Sequence, residues 1–176
     1  MMPNSGEAIM HPIPGARSLL PSFQLSTADG RAVGTWGYKG RWNLVLYFID
    51  NLSCPRCAVE LRSLAEAYEK LRDQQAEVLV IAPSSLDQTG GPVAGLDLPF
   101  PVLVDADLIV HGRYGALEYS GSPVAAVFVA DRYGEIFAVS VSGPGHQLLT
   151  VDEILSWLRL VEIQCPECGA PEWPPG

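Results

Sequence analysis

The sequence predicts an α/β fold with a central mixed sheet and flanking helices. Two apolar runs, residues 43–49 and 77–82, have the nearly continuous pattern of strands that are buried on both faces. A helical pattern separates them, and a hairpin pattern follows over residues 124–141. The chain has 176 residues, of which 48% are hydrophobic and 18% charged, so we expect one globular domain with a substantial core.

The first elements along the chain are an arm, a hairpin and a strand. Residues 1–20 contain several Pro and Gly without a sustained period, which predicts an extended arm. Residues 23–25 alternate in polarity and precede Asp29-Gly30, a strong turn dipeptide, so a short hairpin is expected there. Residues 43–49 then form the first buried strand.

A helix is predicted after this strand. Pro55 suits the first helical position, where its missing N–H costs no hydrogen bond. The apolar positions that follow recur at steps of three and four residues: Leu61, Leu64, Tyr68 and Leu71. We expect the acidic residues of this segment on its solvated face: Glu60, Glu66, Glu69 and Asp73. Residues 77–82 complete a strand–helix–strand unit.

The second half of the chain predicts further strands and helices. These are a strand at 102–104, a short helix within 107–114, strands at 124–130 and 135–141, and a helix at about 151–163. Thr150 and Glu153 have the capping-box spacing at the start of that last helix. We divide the chain into an N-terminal arm (1–20), one domain (21–163) and a C-terminal tail (164–176).

Charge and hydropathy exclude several classes of protein. The formal net charge of −9 argues against binding to a nucleic-acid backbone, which requires clustered Lys and Arg. The longest apolar run, residues 124–130, is far shorter than the roughly 20 residues of a membrane span. No basic segment followed by an apolar stretch opens the chain, so we expect a cytoplasmic protein without a secretory signal.

The cysteines form two pairs of identical spacing. Cys54 and Cys57 enclose Pro-Arg, and Cys165 and Cys168 enclose Pro-Glu in the tail. Four cysteines are too few for a disulfide scaffold in a chain of 176 residues. A C-x-x-C pair without an export signal indicates either a redox dithiol or half of a zinc site.

The first pair lies where a redox dithiol would be placed. The order strand, C-x-x-C, helix, strand, then a hairpin and a helix is that of the thioredoxin fold. A sulfur at the first turn of a helix faces unsatisfied N–H groups and the positive end of the helix dipole, which favours the nucleophilic thiolate. A second thiol three residues later lies on the same helical face. We therefore expect Cys54 to attack and Cys57 to resolve the mixed disulfide.

Several segments together resemble a known family. They are Phe23-Gln24-Leu25, Asp29-Gly30-Arg31, Tyr38-Lys39-Gly40, residues 45–48, Cys54 to Cys57 with residues 60–64, and residues 98–105 with Tyr114-Gly115. Over residues 21–163 the chain is similar to redoxin-type peroxiredoxins, the alkyl hydroperoxide reductase/thiol-specific antioxidant (AhpC/TSA) family, in its C-P-x-C variety.

The resemblance implies a function and its partners. It implies a thioredoxin-like fold and an enzyme that reduces peroxides or disulfides with thiols and requires no cofactor. The implied substrate is a small peroxide, or the disulfide of a protein or small thiol. A thioredoxin-like protein or a low-molecular-weight thiol would be the reductant, and a homodimer is left open.

The sequence also departs from the peroxiredoxin pattern. With Cys57 as the peroxide-reacting cysteine, Asp50 and Cys54 occupy the positions of a Pro and a Thr. Ala125 stands where the activating Arg aligns, and Ser53 replaces an aromatic residue before the first Cys. Asp50 would also raise the pKa of a neighbouring thiol. Two alternatives remain open: a disulfide reductase without peroxidase activity, and a non-catalytic zinc-binding protein.

Pro123 and the tail are further candidates. Thioredoxin folds carry a cis-Pro before a core strand, facing the dithiol, and Ser122-Pro123 stands near that position as a substrate-binding candidate. Cys165 and Cys168 are interpreted as a relay dithiol, as zinc ligands or as an inert tail.

The three histidines show no metal-ligand spacing. We expect His11, His111 and His146 to be surface residues or core residues with satisfied hydrogen bonds.

Overall fold

Seven strands form one mixed sheet. The computed structural model describes residues 11–84, 92–93, 95–143, 147–164 and 172–175. The strands are β1 (Gln24–Thr27), β2 (Ala32–Gly34), β3 (Asn43–Phe48), β4 (Ala76–Ala82), β5 (Val102–Val104), β6 (Ala126–Ala130) and β7 (Ile136–Val141). Their order is β2-β1-β5-β4-β3-β6-β7, with parallel and antiparallel neighbours. The α/β fold with a central mixed sheet is therefore confirmed.

The middle of the sheet is completely buried. Every residue of β3 and β4 is buried, in agreement with their continuous apolar sequences. β3 pairs in parallel with β4 and antiparallel with β6. β3 therefore ends, at Phe48, between β4 and β6, so the loop that follows it starts at the centre of the sheet.

In the part of the chain that the structure describes, four α-helices cover the two faces of the sheet. They are α1 (Pro55–Glu66), α2 (Tyr68–Asp73), α3 (Ile109–Arg113) and α4 (Val151–Ile163). α1, α2 and α4 pack on one face, whereas α3 packs on the other. The apolar stripe predicted as one helix is divided, because Ala67 leaves the helical conformation (φ −94°, ψ 2°). The stripe stays in register across the break, and Leu61, Leu64 and Leu71 are all buried.

The capping box at the start of α4 is present. Thr150 Oγ1 accepts a hydrogen bond from the Glu153 N–H at 3.3 Å, and the Glu153 carboxylate accepts one from the Thr150 N–H at 2.8 Å. The helix therefore begins where its sequence signal predicts.

Residues close to both chain ends contribute to the core on the α3 face. Leu20 and Trp173 are buried, and the Trp173 indole Nε1 donates a hydrogen bond to the Leu20 carbonyl at 2.8 Å. Gly134, at φ +84°, lies under the Trp173 ring, where a Cβ would come within 2.4 Å of the indole. At the same end of the sheet, Asn43 at the start of β3 donates to Glu162 of α4 at 2.7 Å.

No helix within the described residues has the length and apolar character needed to cross a membrane.

Candidate active site

The loop between β3 and α1 ends at Cys54, which lies at the start of the helix. Cys54 is the N-cap of α1, with extended backbone (φ −75°, ψ 112°), and Pro55 follows at the first helical position. Cys54 Sγ accepts a hydrogen bond from the Cys57 N–H at 3.4 Å. The sulfur therefore takes the place of a capping oxygen and lies against the N–H groups of the first turn.

The two thiols share one site but differ in exposure. Cys54 and Cys57 are free, and their sulfur atoms lie within 4.8 Å of each other. Cys57 is 2% exposed and packs in the core beneath α1, whereas Cys54 is only partly buried at the rim. An incoming group therefore reaches Cys54 first.

Asp50 contacts the buried thiol. Cys57 Sγ donates a hydrogen bond to Asp50 Oδ1 at 3.0 Å, and the Asn51 N–H also donates to Asp50. Burial, and then the hydrogen bond and negative charge of Asp50, raise the pKa of Cys57 far above its ordinary value. From its place four residues before Cys54, Asp50 is expected to affect that thiol, whereas in the structure the thiol in contact with Asp50 is Cys57. This thiol keeps its proton and has a base in contact with it.

A second carboxylate lies one helical turn from Cys57. The Tyr47 hydroxyl, on the face of β3 under α1, donates a hydrogen bond to Glu60. Arg56 approaches the same carboxylate, with Nε 3.5 Å from Glu60 Oε1. Burial and the contact with Glu60 raise the pKa of Tyr47 far above its ordinary value. The expected solvated face is confirmed for Glu66, Glu69 and Asp73, which are exposed, whereas Glu60 is only partly exposed because the Tyr47 hydroxyl contacts it.

A pocket adjoins this pair. Its volume is about 320 Å³, and it lies between α1 and the start of α4. Tyr47 and Glu60 lie among its polar lining residues, and Leu64, Leu148 and Val151 contribute apolar walls. Neither cysteine lines the pocket, and its contact with the site is through Tyr47 and Glu60.

Asp50, Cys54 and Cys57 also form a donor set that suits a metal ion. One oxygen and two sulfurs lie within 4.8 Å of one another. Thiolates and carboxylates are ligands that Zn²⁺ accepts, but a tetrahedral site needs a fourth ligand from outside this group. The residues therefore fit an incomplete zinc site as well as a redox dithiol.

The expected cis-proline is not present. The described residues contain no cis peptide bond, so the Ser122–Pro123 bond is trans. Pro123 forms an antiparallel bridge with Leu117, and the Val124 N–H donates to the Ala116 carbonyl. This pairing holds the segment as ordinary extended chain before β6, which explains the trans bond. The proposed contact of Pro123 with a substrate stays a prediction.

Ala125 is buried and apolar, as the sequence indicated. It stands just before β6, whose Ala126 pairs with Phe48 at the end of β3 that leads to the dithiol. The position that would carry the activating Arg of a peroxiredoxin therefore supplies no charge here.

The tail pair, Cys165 and Cys168, lies outside the described residues, as does His146. His11 is exposed, whereas His111 is fully buried and hydrogen-bonded to Asp105. The expectation of a core histidine with satisfied hydrogen bonds is therefore confirmed for His111.

Comparisons with known proteins agree on one family. The model of the AhpC/TSA family matches residues 17–139. A peroxiredoxin of Thermoplasma volcanium is 25% identical over 168 residues, which cover 89% of this chain and 80% of that protein. Peroxiredoxin 2 of Thermoplasma acidophilum is 26% identical over the same length, covering 89% of this chain and 81% of that protein.

Solved structures share the fold. Mycobacterium tuberculosis AhpC superposes with a TM-score of 0.71 at 21% identity, over 86% of this chain and 95% of that one. A reduced 2-Cys peroxiredoxin of Plasmodium vivax gives a TM-score of 0.71 at 19% identity, over 84% and 96% of the two chains. The thioredoxin-like fold predicted from the sequence is therefore confirmed.

Proposed function

The chain belongs to the AhpC/TSA family of thiol-dependent oxidoreductases, and from this premise we propose that Cys54 and Cys57 alternate between dithiol and disulfide, with a disulfide as the preferred substrate. One observation supports the assignment above the others. The accessible sulfur caps a helix, while the buried thiol three residues later donates its hydrogen to a carboxylate.

The cycle begins at Cys54. Its thiolate attacks one sulfur of a substrate disulfide, forming a mixed disulfide and expelling the other substrate sulfur as a thiolate. The N–H groups of the first turn of α1 stabilise the negative charge on Cys54 before the attack. Cys54 is suited to this step because it is the less buried of the two thiols.

Cys57 completes the cycle with the help of Asp50. The Cys57 thiol transfers its proton to Asp50 Oδ1 and attacks Cys54 Sγ. The mixed disulfide breaks, the second substrate thiolate leaves, and the Cys54–Cys57 disulfide forms. A thioredoxin-like protein or a low-molecular-weight thiol then donates two electrons and two protons, which restores the dithiol.

Peroxide reduction is supported less well by these surroundings. It would convert Cys54 to a sulfenic acid and release an alcohol or water, and Cys57 would then expel water to form the disulfide. Donors that stabilise the leaving oxygen are needed in the first of these steps. Ala125 and Ser53 stand where the family has other side chains, and Asp50 adds a negative charge to the site.

Metal binding is a second candidate function. Asp50, Cys54 and Cys57 could hold Zn²⁺ together with a fourth ligand such as water. A thiolate bound to the metal is a weaker nucleophile, so this function competes with thiol exchange. The tail cysteines are a further candidate source of ligands.

The deciding experiment compares two oxidants on the reduced protein. One equivalent of glutathione disulfide and one of hydrogen peroxide are added separately, and thiol state is followed by mass spectrometry. We expect glutathione disulfide to generate the Cys54–Cys57 disulfide, and Cys57→Ser to trap glutathione on Cys54. Cys54→Ser should trap no glutathione on Cys57. Faster oxidation by peroxide would instead establish a peroxidase.

The metal content of the same preparation tests the alternative. About one zinc per chain, lost in both Cys54→Ser and Cys57→Ser, would support the metal site and contradict the redox assignment.

A further inference from the structure

A buried pair of ionisable residues lies behind the dithiol loop. Asp105 follows β5, His111 lies in α3, and both side chains are fully buried. His111 Nδ1 lies 2.6 Å from Asp105 Oδ2. The Asp105 carboxylate also accepts hydrogen bonds from the His111 N–H at 2.7 Å and from the Val110 N–H at 3.2 Å. The carboxylate is therefore held in one orientation by three donors.

The second ring nitrogen of His111 contacts the chain beside the dithiol. His111 Nε2 lies 3.2 Å from the carbonyl oxygen of Ile49. A carbonyl can only accept, so Nε2 carries a hydrogen and donates it. A second hydrogen lies between Nδ1 and Asp105. The edge-to-face contact with Phe48, at 5.1 Å between ring centres, fixes the plane of the imidazole.

The His111 hydrogen bond is made to the peptide group that links Ile49 to Asp50. The Ile49 N–H belongs to the sheet, because it donates to the Ile81 carbonyl at 2.9 Å. The Ile49 carbonyl and the Asp50 nitrogen share one planar peptide group, so an atom that fixes the carbonyl also fixes the start of Asp50. Asp50 in turn receives the Cys57 hydrogen bond at 3.0 Å.

The stability of the folded protein does not by itself account for a buried Asp–His pair. Burying an Asp and a His removes both from water, and apolar residues of similar volume often serve a core equally well. Phe48 and Val110, which adjoin His111, show that the surroundings are apolar. An apolar side chain at position 111 could not donate a hydrogen bond to the Ile49 carbonyl.

We propose that His111, oriented by Asp105, is a positioning residue that fixes the Ile49–Asp50 peptide and thereby holds the Asp50 carboxylate against the Cys57 thiol. The catalytic consequence rests on the proposed function: without this contact, Cys57 resolves the mixed disulfide more slowly. The attack by Cys54 depends on the helix N-terminus and is not affected.

Two isosteric variants separate the two ring nitrogens. In His111→Gln the side-chain amide can replace the Nε2 donor to Ile49, whereas in His111→Asn it can replace only the Nδ1 donor to Asp105. We expect His111→Asn to slow the resolving step by roughly ten-fold, a part of what a general base contributes. His111→Gln should stay within about two-fold of the parent, and the attack by Cys54 on glutathione disulfide should be unchanged in both.

A second measurement does not depend on turnover. In a background where Cys54, Cys165 and Cys168 are all replaced by Ser, the pKa of Cys57 is followed by thiolate ultraviolet absorbance. We expect His111→Asn to lower this pKa, because Asp50 moves away from the thiol, and His111→Gln to preserve it. If no variant turns over a disulfide, the proposed function fails, and the titration still tests the position of Asp50.

Equal behaviour of the two variants would overturn the proposal. If both lose the same stability in urea while the pKa of Cys57 and the resolving rate match the parent, His111 serves the core alone. A slower attack by Cys54 in His111→Asn would likewise contradict a role that acts through Asp50.

Discussion

The Cys57 thiol donates a hydrogen bond to Asp50 Oδ1 at 3.0 Å, although the two residues are seven positions apart along the chain. The contact makes the two thiols unequal. Cys57 is buried against an anion and keeps its proton, whereas Cys54 caps the helix at the rim of the site. An oxidoreductase that attacks with one sulfur and resolves with the other needs this inequality.

We expect alkylation to distinguish the two thiols. Iodoacetamide should modify Cys54 before Cys57, because Cys57 is buried and its pKa is raised by that burial and by Asp50. The measurement is peptide mass spectrometry of protein labelled for short times at increasing pH. Preferential labelling of Cys57 would reverse the assigned roles.

Asp50→Asn should have two opposite effects. Removing the negative charge lowers the pKa of Cys57, so a Cys54→Ser, Asp50→Asn protein should form the Cys57 thiolate at lower pH than Cys54→Ser alone. Removing the base should nevertheless slow resolution of the mixed disulfide, by about 10² or more. Glu66→Gln, which replaces an exposed carboxylate of α1 by a carboxamide, is the matched control and should change neither. A faster resolving step in Asp50→Asn would show that Asp50 only raises the pKa.

The elements were predictable where one signal dominates. β3, β4 and β6 are continuous apolar runs, and the box of Thr150 and Glu153 marks the start of α4. The break at Ala67 was not predictable, because the apolar stripe continues through it and only the backbone changes.

The sequence predicts only those features of the site that depend on the spacing of neighbouring residues along the chain. Pro55 and the C-x-x-C spacing place Cys54 at the helix start. The hydrogen-bond partners of Asp50, Glu60 and His111 come from other parts of the chain, so they depend on tertiary packing and not on local spacing. The helical periodicity predicts Glu60 on the solvated face, since a pattern within one helix contains no information about Tyr47, which lies on the strand beneath.

Acid stability should depend on the Asp105–His111 pair. Burial alone would raise the pKa of Asp105, but hydrogen bonds from the His111 side chain and from the backbone lower it below its ordinary value. The carboxylate therefore contributes stability above its unfolded pKa of about 3.9, and this is lost as pH falls through the lower folded pKa.

His111→Leu removes the largest of these donors. We expect the acid unfolding midpoint, measured by circular dichroism, to move to higher pH. Asp107→Asn, at an exposed position beside α3, should leave it unchanged. An unchanged midpoint in His111→Leu would show that the backbone donors alone hold Asp105.

Trp173 should contribute to stability without affecting the dithiol. It is 1% exposed and packs on Leu20 and Gly134, so Trp173→Ala should lower the free energy of unfolding by about 3–5 kcal/mol. Trp36 is 41% exposed, and Trp36→Ala is the control with a much smaller expected loss. Urea denaturation measures both. The rate of Cys54–Cys57 oxidation should match the parent, because Trp173 lies at the end of the sheet where β3 begins.

The tail pair is tested by replacing both of its cysteines with Ser. As a relay, Cys165 and Cys168 would pass electrons from an external thiol to the Cys54–Cys57 disulfide, so the substituted protein should form that disulfide normally and be reduced more slowly.

Zinc bound to the parent and lost on this substitution would identify the pair as ligands instead. Equal reduction rates, with no metal in either protein, would leave an inert tail, because a relay must change the rate at which the oxidised dithiol regains its electrons.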